Sequence, residues 1–334
     1  MTGIASVINT PLAAAGITEC ADEFYEIDFY ALGSQCQLIY EAENLAKAEA
    51  YHQAAGQWLG RFEARYSRFQ PDSEVCRVNA MAGIRLVEID AEFEMLLDLC
   101  EQCHFVTQGA FDATSLPLSL LWDWKRKRDS LPTEEEIAQA RSLVGWLRVE
   151  RSPGRIFLPQ KGMMLDLGGV GKEFAVDCLR QLAVGMGITN IMVNLGGDIA
   201  VLGESYEAGA WYVGLEDPAR PGETYCGLRL RSGTTVATSG DYRRRFEFEG
   251  RSYGHVLDCR SGWPVANGTK SATVIANRCT AAGLLSTSAL VLGGQNAIAM
   301  LDRTQNVEGC LWCDGKLYET RGFRRSILPK DWFD

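Results

Sequence analysis

The sequence predicts an α+β fold with mixed sheets and helices. Three observations carry that expectation: helical periodicity dominates the first half, short apolar or alternating runs bounded by Gly, Asn, Asp and Pro dominate the second, and no segment repeats. Helices and strands gathered into separate blocks argue for α+β, since a regular βαβ array would alternate them. At 334 residues, 46% hydrophobic and 23% charged, the chain has ample material for a core. Residues 1–25 read as an N-terminal extension, 26–325 as a single domain and 326–334 as a tail.

Residues 26–41 suggest a strand or hairpin interrupted at Gly33-Ser34. Over 43–66, Leu45, Ala48, Tyr51, Ala55, Trp58, Leu59 and Phe62 recur at three-to-four spacing, which predicts an amphipathic helix with that stripe in the core. Tyr66 to Asn79 reads as a polar turn leading to a short apolar segment. A second amphipathic helix is expected over about 90–107, and Pro132-Thr-Glu-Glu-Glu-Ile opens a third, with proline and acids in the turn where the helix dipole favours them. Strands near 146–159 follow. Residues 162–177, Gly-Met-Met-Leu-Asp-Leu-Gly-Gly-Val-Gly-Lys-Glu-Phe-Ala-Val-Asp, then read as strand, tight loop, helix.

Beyond that helix the chain turns mainly to strands. Ile191-Met-Val-Asn194-Leu is a buried-looking strand that turns at Gly196-Gly197-Asp198 into Ile199-Ala-Val-Leu. Further strand candidates lie at 211–215, 225–231, 233–238, 245–249, 252–258 and 271–276. Helices are expected at about 278–291 and 294–302, and Asp314-Gly315 marks the turn of a closing hairpin over 307–319.

Charge and composition narrow the function. A net charge of −10 disfavours nucleic-acid or anionic-membrane partners, and the short basic runs Lys125–Arg128 and Arg243–Arg245 read as solvated loops, the second placed to help hold a phosphorylated ligand. The N-terminal residues show neither a basic region followed by an apolar run nor any stretch able to span a bilayer. Eleven scattered cysteines, an odd number, fit a reducing compartment, so a cytoplasmic location is expected.

Cys100-Glu-Gln-Cys103-His104 has the spacing of a haem attachment pattern, but it falls within an amphipathic helix and reads as chance. Cys310-Leu-Trp-Cys313 lies in a strand, where such side chains face opposite ways. His52 reads as a surface residue. His255 sits in a turn with Gly254, Asp258, Arg260, Gly262 and Pro264, where a neutral imidazole beside a phosphate site would serve as a general base.

Gly168-Gly169-Val-Gly171 before a helix is a candidate phosphate cradle, because free N–H groups and the positive dipole end favour an anion there. It matches neither GxxxxGK[ST] nor GxGxxG. With Asn194–Asp198, Thr234–Tyr242 and the His255 turn, it makes four Gly/polar segments, each expected to end a strand, the usual setting of a ligand pocket.

Taken in order, Leu32-Gly-Ser34, Ser67-Arg-Phe69 to Asn79, Gly109-Ala-Phe-Asp112-Ala-Thr, Asp166-Leu-Gly-Gly-Val-Gly-Lys172, Asn194–Asp198, Thr238-Ser-Gly-Asp-Tyr242, His255-Val-Leu-Asp258 to Pro264 and Leu285-Ser-Thr287 to Gly293 resemble the ApbE family of FAD:protein FMN transferases. The resemblance implies a T-fold-like architecture of two intertwined lobes with FAD in the cleft between them. It also implies cleavage of the FAD diphosphate and attachment of FMN through a phosphoester to a Thr or Ser of an acceptor protein, with release of AMP. By position, Leu32, Phe69, Ala110, Phe111, Asp112, Asp166, Lys172 and Leu257 fall where the family contacts FAD, and His255 and Asp258 on its catalytic segment. Magnesium in the family is held by an Asp carboxylate, a Thr hydroxyl and a carbonyl of the Gly-rich loop. Thr287 and the Gly169 carbonyl match, but Gly283 stands where the Asp is expected. That departure implies weakened metal binding unless another acid in the cleft substitutes, and leaves as alternative a homologue that binds FAD without transferring FMN.

Overall fold

Alternating apolar residues from Phe24 onward build the first hairpin of the computed structural model, which describes residues 10–125, 129–206, 209–242 and 244–328. Parts of the N-terminal extension, the two basic runs and the C-terminal tail lie outside the described residues. Strand β1 (Thr18–Glu19) lines the edge of β2 (Phe24–Ala31), which pairs with β3 (Ser34–Glu41) through the two-residue turn Leu32-Gly33, both at positive φ, 52° and 73°. Helix α1 (Leu45–Tyr66) starts where Asn44 Oδ1 accepts from the Lys47 N–H at 3.0 Å, and it buries Ala48, Tyr51, Ala55, Leu59 and Phe62 as expected, while Leu45 of the same stripe is exposed in the first turn and Trp58 is half-buried. His52 is not a free surface residue, because its Nε2 lies 2.6 Å from the Leu12 carbonyl and ties down the N-terminal segment.

The polar turn expected before Asn79 contains a helix, α2 (Glu74–Ala80), capped by Ser73. Its two buried residues, Val75 and Val78, are too few to show a period. Next come β4 (Val87–Glu88), α3 (Ala91–Val106), α4 (Leu116–Leu121) and α5 (Glu134–Ser142), the last opened by a reciprocal Thr133/Glu136 capping box. Strands β5 (Glu150–Ser152) and β6 (Arg155–Phe157) join β4 in a small sheet.

No strand leads into the Gly-rich loop. Met163 and Leu165 are apolar because they sit in the core, while Gly162 at φ 92° breaks the run and Asn79 clamps the Leu165 backbone through two bonds of 2.7 and 3.0 Å. A single bridge, Ser115 to Met164, is all the pairing this segment has. Helix α6 (Gly171–Gly185) follows the loop.

The remaining elements are β7 (Ile191–Leu195), β8 (Asp198–Leu202), β9 (Trp211–Glu216), β10 (Thr224–Leu230), β11 (Thr235–Gly240), β12 (Arg245–Phe248), β13 (Arg251–Gly254), β14 (Leu257–Asp258), β15 (Trp263–Pro264), β16 (Thr269–Ala276), α7 (Cys279–Leu292), α8 (Gly294–Asp302), β17 (Glu308–Cys313) and β18 (Lys316–Glu319). Nine strands form one sheet in the order β1-β2-β3-β7-β8-β11-β16-β17-β18, with every ladder antiparallel. Helices α1 and α6 cover one half of one face, and α7 and α8 the other half. The β9–β10 hairpin and Phe323 close the opposite face over Met192, Val201 and Val236. Burial on both faces explains why β7 and β8 read as continuous apolar runs. No helix among the described residues is long and apolar enough to cross a membrane.

Helices α6 and α7 are pinned together by one buried carboxylate. Asp177 of α6 accepts from the Cys279 N–H at 2.9 Å and from the Thr280 N–H and hydroxyl at 3.1 and 2.9 Å, capping an α7 that has no cap of its own. Asp177→Ala is expected to cost roughly 3 kcal/mol in urea denaturation, since it strands those three donors in the core.

Candidate active site

The Gly-rich loop is shaped by its own Asp166. The carboxylate accepts from the Gly168 N–H at 2.9 Å and pairs with Arg68 at 3.2 Å, whose guanidinium lies 4.5 Å from the centre of the Phe69 ring. Phe69 is 74% exposed, a large apolar surface held at the rim of the loop. Gly169 is required by contact: a Cβ there would stand 2.7 Å from the Phe111 ring. The loop runs directly into α6, whose first turn carries no side-chain cap and is suited to an anion.

Lys172, in that first turn, is ion-paired with buried Asp198. Burial acts to lower its pKa, but the fields of Asp198 and Glu173 outweigh it and raise the value, so the ammonium stays charged. The Gly196-Gly197 turn, at φ 68° and 95°, passes beside it; a Cβ on Gly196 would meet Ser34 Oγ at 2.5 Å and Lys172 Cδ at 4.0 Å. The Leu32-Gly33 turn closes this corner. A leucine at φ 52° is a strained backbone, held here by a 2.6 Å bond from its N–H to Glu63 Oε1. Arg244 donates to the Gly33 carbonyl at 3.4 Å, bringing a second cation to the same corner.

His255 follows β13 and donates its backbone N–H to the Arg244 carbonyl at 3.0 Å. Its Nδ1 is buried without a partner among the described residues. Burial, then the Arg244 and Lys172 charges, push the imidazole pKa down to about 4, leaving it neutral at pH 7. Between pH 6.5 and about 4 the unfolded chain takes up a proton here and the folded chain does not, so this group's contribution is complete above the unfolded value and lost as pH falls. Comparing urea unfolding of wild type and His255→Gln at pH 7 and pH 4.5 is expected to show wild type losing roughly 2 kcal/mol more than the variant, and parallel losses would contradict it.

Other expected site residues carry structural loads. Asp112 is buried, with Oδ1 taking the Thr114 N–H and hydroxyl and Oδ2 the Trp146 N–H. The Ala110 carbonyl accepts from Cys259 N at 2.9 Å, which joins the 109–112 segment to the His255 turn. Leu257 pairs with Pro264 in that turn. The Asp258 carboxylate is held by Arg260 from 2.6 to 3.2 Å; burial would raise its pKa, yet the Arg260 bonds leave it lowered. An acid so occupied is no proton carrier at neutral pH.

Thr287 on α7 bonds to Ser239 of β11 at 3.0 Å, and Ser239 also reaches Ser286 at 2.8 Å. Glu173, which sequence reading passed over, is buried against this region. Its signal was an acid in the first turn of a helix that opens on a glycine loop. Cys100 and Cys103 lie in the core on α3, while His104 Nδ1 sits 3.2 Å from the Phe111 carbonyl; Cys310 meets the Tyr225 hydroxyl and Cys313 the Asn267 carbonyl.

Fold and geometry define a class: an α+β protein with helices banked on one long antiparallel sheet, and a cationic, glycine-lined corner beside a neutral buried imidazole. Residues 32–311 match the sequence pattern of the ApbE family, and the chain belongs to that family. The FAD:protein FMN transferase of Haemophilus influenzae is 30% identical over 271 residues, 77% of either chain. That of Treponema pallidum is 29% identical over 293 residues, 83% of this chain and 81% of its own. The crystal structure of the ApbE protein of Thermotoga maritima superposes with a TM-score of 0.82 at 28% identity, covering 92% of this chain and 100% of its own. The α+β architecture is thus that of the family.

Proposed function

We propose that the chain is an FAD:protein FMN transferase, which cleaves the FAD diphosphate and joins FMN through a phosphoester to a Thr or Ser hydroxyl of an acceptor protein. The observation that carries this reading is that Lys172 and Arg244 both act on neutral His255, with the Gly196-Gly197 turn beside Lys172. Lys172, Arg244 and the first N–H groups of α6 offset charge on the diphosphate. His255 accepts the proton of the acceptor hydroxyl, whose oxygen bonds to the FMN phosphorus. The bridging P–O bond breaks and AMP leaves with that electron pair. Leu32, Phe69, Ala110, Phe111, Asp166 and Leu257 line the FAD cleft in this reading, while Asp112 and Asp258 hold its walls. A divalent cation would neutralise developing phosphate charge, with Gly169 and Thr287 among its holders.

No disulfide joins the cysteines among the described residues, and burial raises the thiol pKa of several of them, which supports a reducing, cytoplasmic setting. The test is incubation with FAD, Mg²⁺ and an acceptor bearing the flavinylated hydroxyl, reading AMP and flavin fluorescence on the denatured acceptor. FAD bound with neither product formed would sink the transferase reading in favour of a binding-only homologue.

A further inference from the structure

Glu173 is a buried acid that the mechanism leaves unused. Its residue is 8% exposed, and Oε2 has no hydrogen-bond partner among the described residues. A buried carboxylate oxygen left bare is costly unless something absent from the protein itself satisfies it. The carboxylate also faces Asp198, and Lys172 offsets only one of the two charges.

The place Glu173 occupies is informative. A Cβ built on Gly283 would lie 2.4 Å from Glu173 Cγ, 2.7 Å from its Oε1 and 2.8 Å from its Cδ, so this side chain fills the volume that any side chain at position 283 would take. The two helices set this register. Asp177 meets Cys279 and Thr280; one turn back along α6 and one turn on along α7 are Glu173 and Gly283. A further step of four along α7 arrives at Thr287, while Gly169 lies in the loop just before α6. Glu173 and Gly169 also border one cavity of about 150 Å³, whose wall includes Arg278, Thr280 and Leu284, so the acid and the glycine loop lie side by side.

We propose that Glu173 is the carboxylate ligand of a divalent-cation site completed by the Thr287 hydroxyl and the Gly169 carbonyl, the acid having moved from α7 to α6 while the volume it fills stayed the same. All three donors are hard oxygens, as magnesium or manganese requires. The inference rests on the transferase reading only for what the cation does, not for whether it binds.

The experiment measures Mn²⁺ binding by electron paramagnetic resonance, with no turnover involved, for the full chain saturated with ADP as a diphosphate probe. ADP with no protein supplies the background. Wild type is expected to hold one Mn²⁺ above that background, Glu173→Gln to bind at least tenfold more weakly, and Glu173→Gly with Gly283→Asp to recover most of the affinity. Circular dichroism checks that Glu173→Gln is folded, which is expected because it keeps the shape and removes a buried charge. Unchanged Mn²⁺ affinity in Glu173→Gln, or no Mn²⁺ bound by wild type above background, would overturn the proposal. Glu173-dependent Mn²⁺ binding together with no AMP from FAD and acceptor would leave the site standing and remove the transferase reading alone.

Discussion

His255→Gln is expected to lower FMN transfer by about 10² to 10⁴, with FAD binding changed by no more than a few-fold. Among the described residues, the imidazole is the group at the cationic corner that is neutral and has a bare nitrogen, so its removal takes away proton transfer and little ground-state binding. A pKa of about 4 is low for a base working at pH 7, but two of its causes are the Arg244 and Lys172 charges. A bound diphosphate supplies the negative charge that cancels them, so the value rises in the complex. The acid limb of kcat should therefore lie at higher pH than that of kcat/KM, since the first reports the complex and the second the free enzyme. A variant retaining more than a tenth of the wild-type rate would end the role of His255 as base.

The parts of this fold that were legible in sequence are those governed by local chemistry. Asp314-Gly315 takes positive φ at both positions and makes its hairpin, the Thr133 box opens α5, and the stripe from Ala48 to Phe62 is buried as its spacing requires. Helix α2 and the path of 162–166 were not legible, because Val75 and Val78 give no period and Met163-Met-Leu165 owes its apolar character to tertiary burial, not to strand pairing. The site divides in the same way. Gly168-Gly169 before a helix, and a histidine among turn residues, announce themselves. The commitments of Asp112 to Trp146 and of Asp258 to Arg260 are contacts of the folded chain that a carboxylate's letter does not carry. Gly283 could be recognised as a departure, but its compensation by Glu173 could not, since only the packing of α6 on α7 brings the two together.

Gly283→Asp alone, which supplies an acid where the family resemblance expects one, is expected to harm the protein. Its Cβ would overlap Glu173 Cγ at 2.4 Å, far inside any tolerated contact. The helices cannot part to make room, because Asp177 holds them through three hydrogen bonds one turn away. Overpacking of this kind costs about 1–3 kcal/mol, and a second buried carboxylate beside the first adds to it, so a loss of about 3 kcal/mol is expected in urea denaturation. Glu173→Gly alone should cost about 1 kcal/mol, the helix penalty of glycine, partly returned by the removal of a buried unpaired acid. The double variant, with the acid back on α7 and the space on α6 cleared, should be more stable than Gly283→Asp by about 2 kcal/mol. That non-additivity is the signature of two residues sharing one volume. If the two changes simply add, Glu173 and Gly283 do not compete for the same space, and the register of α6 on α7 must differ from the one described.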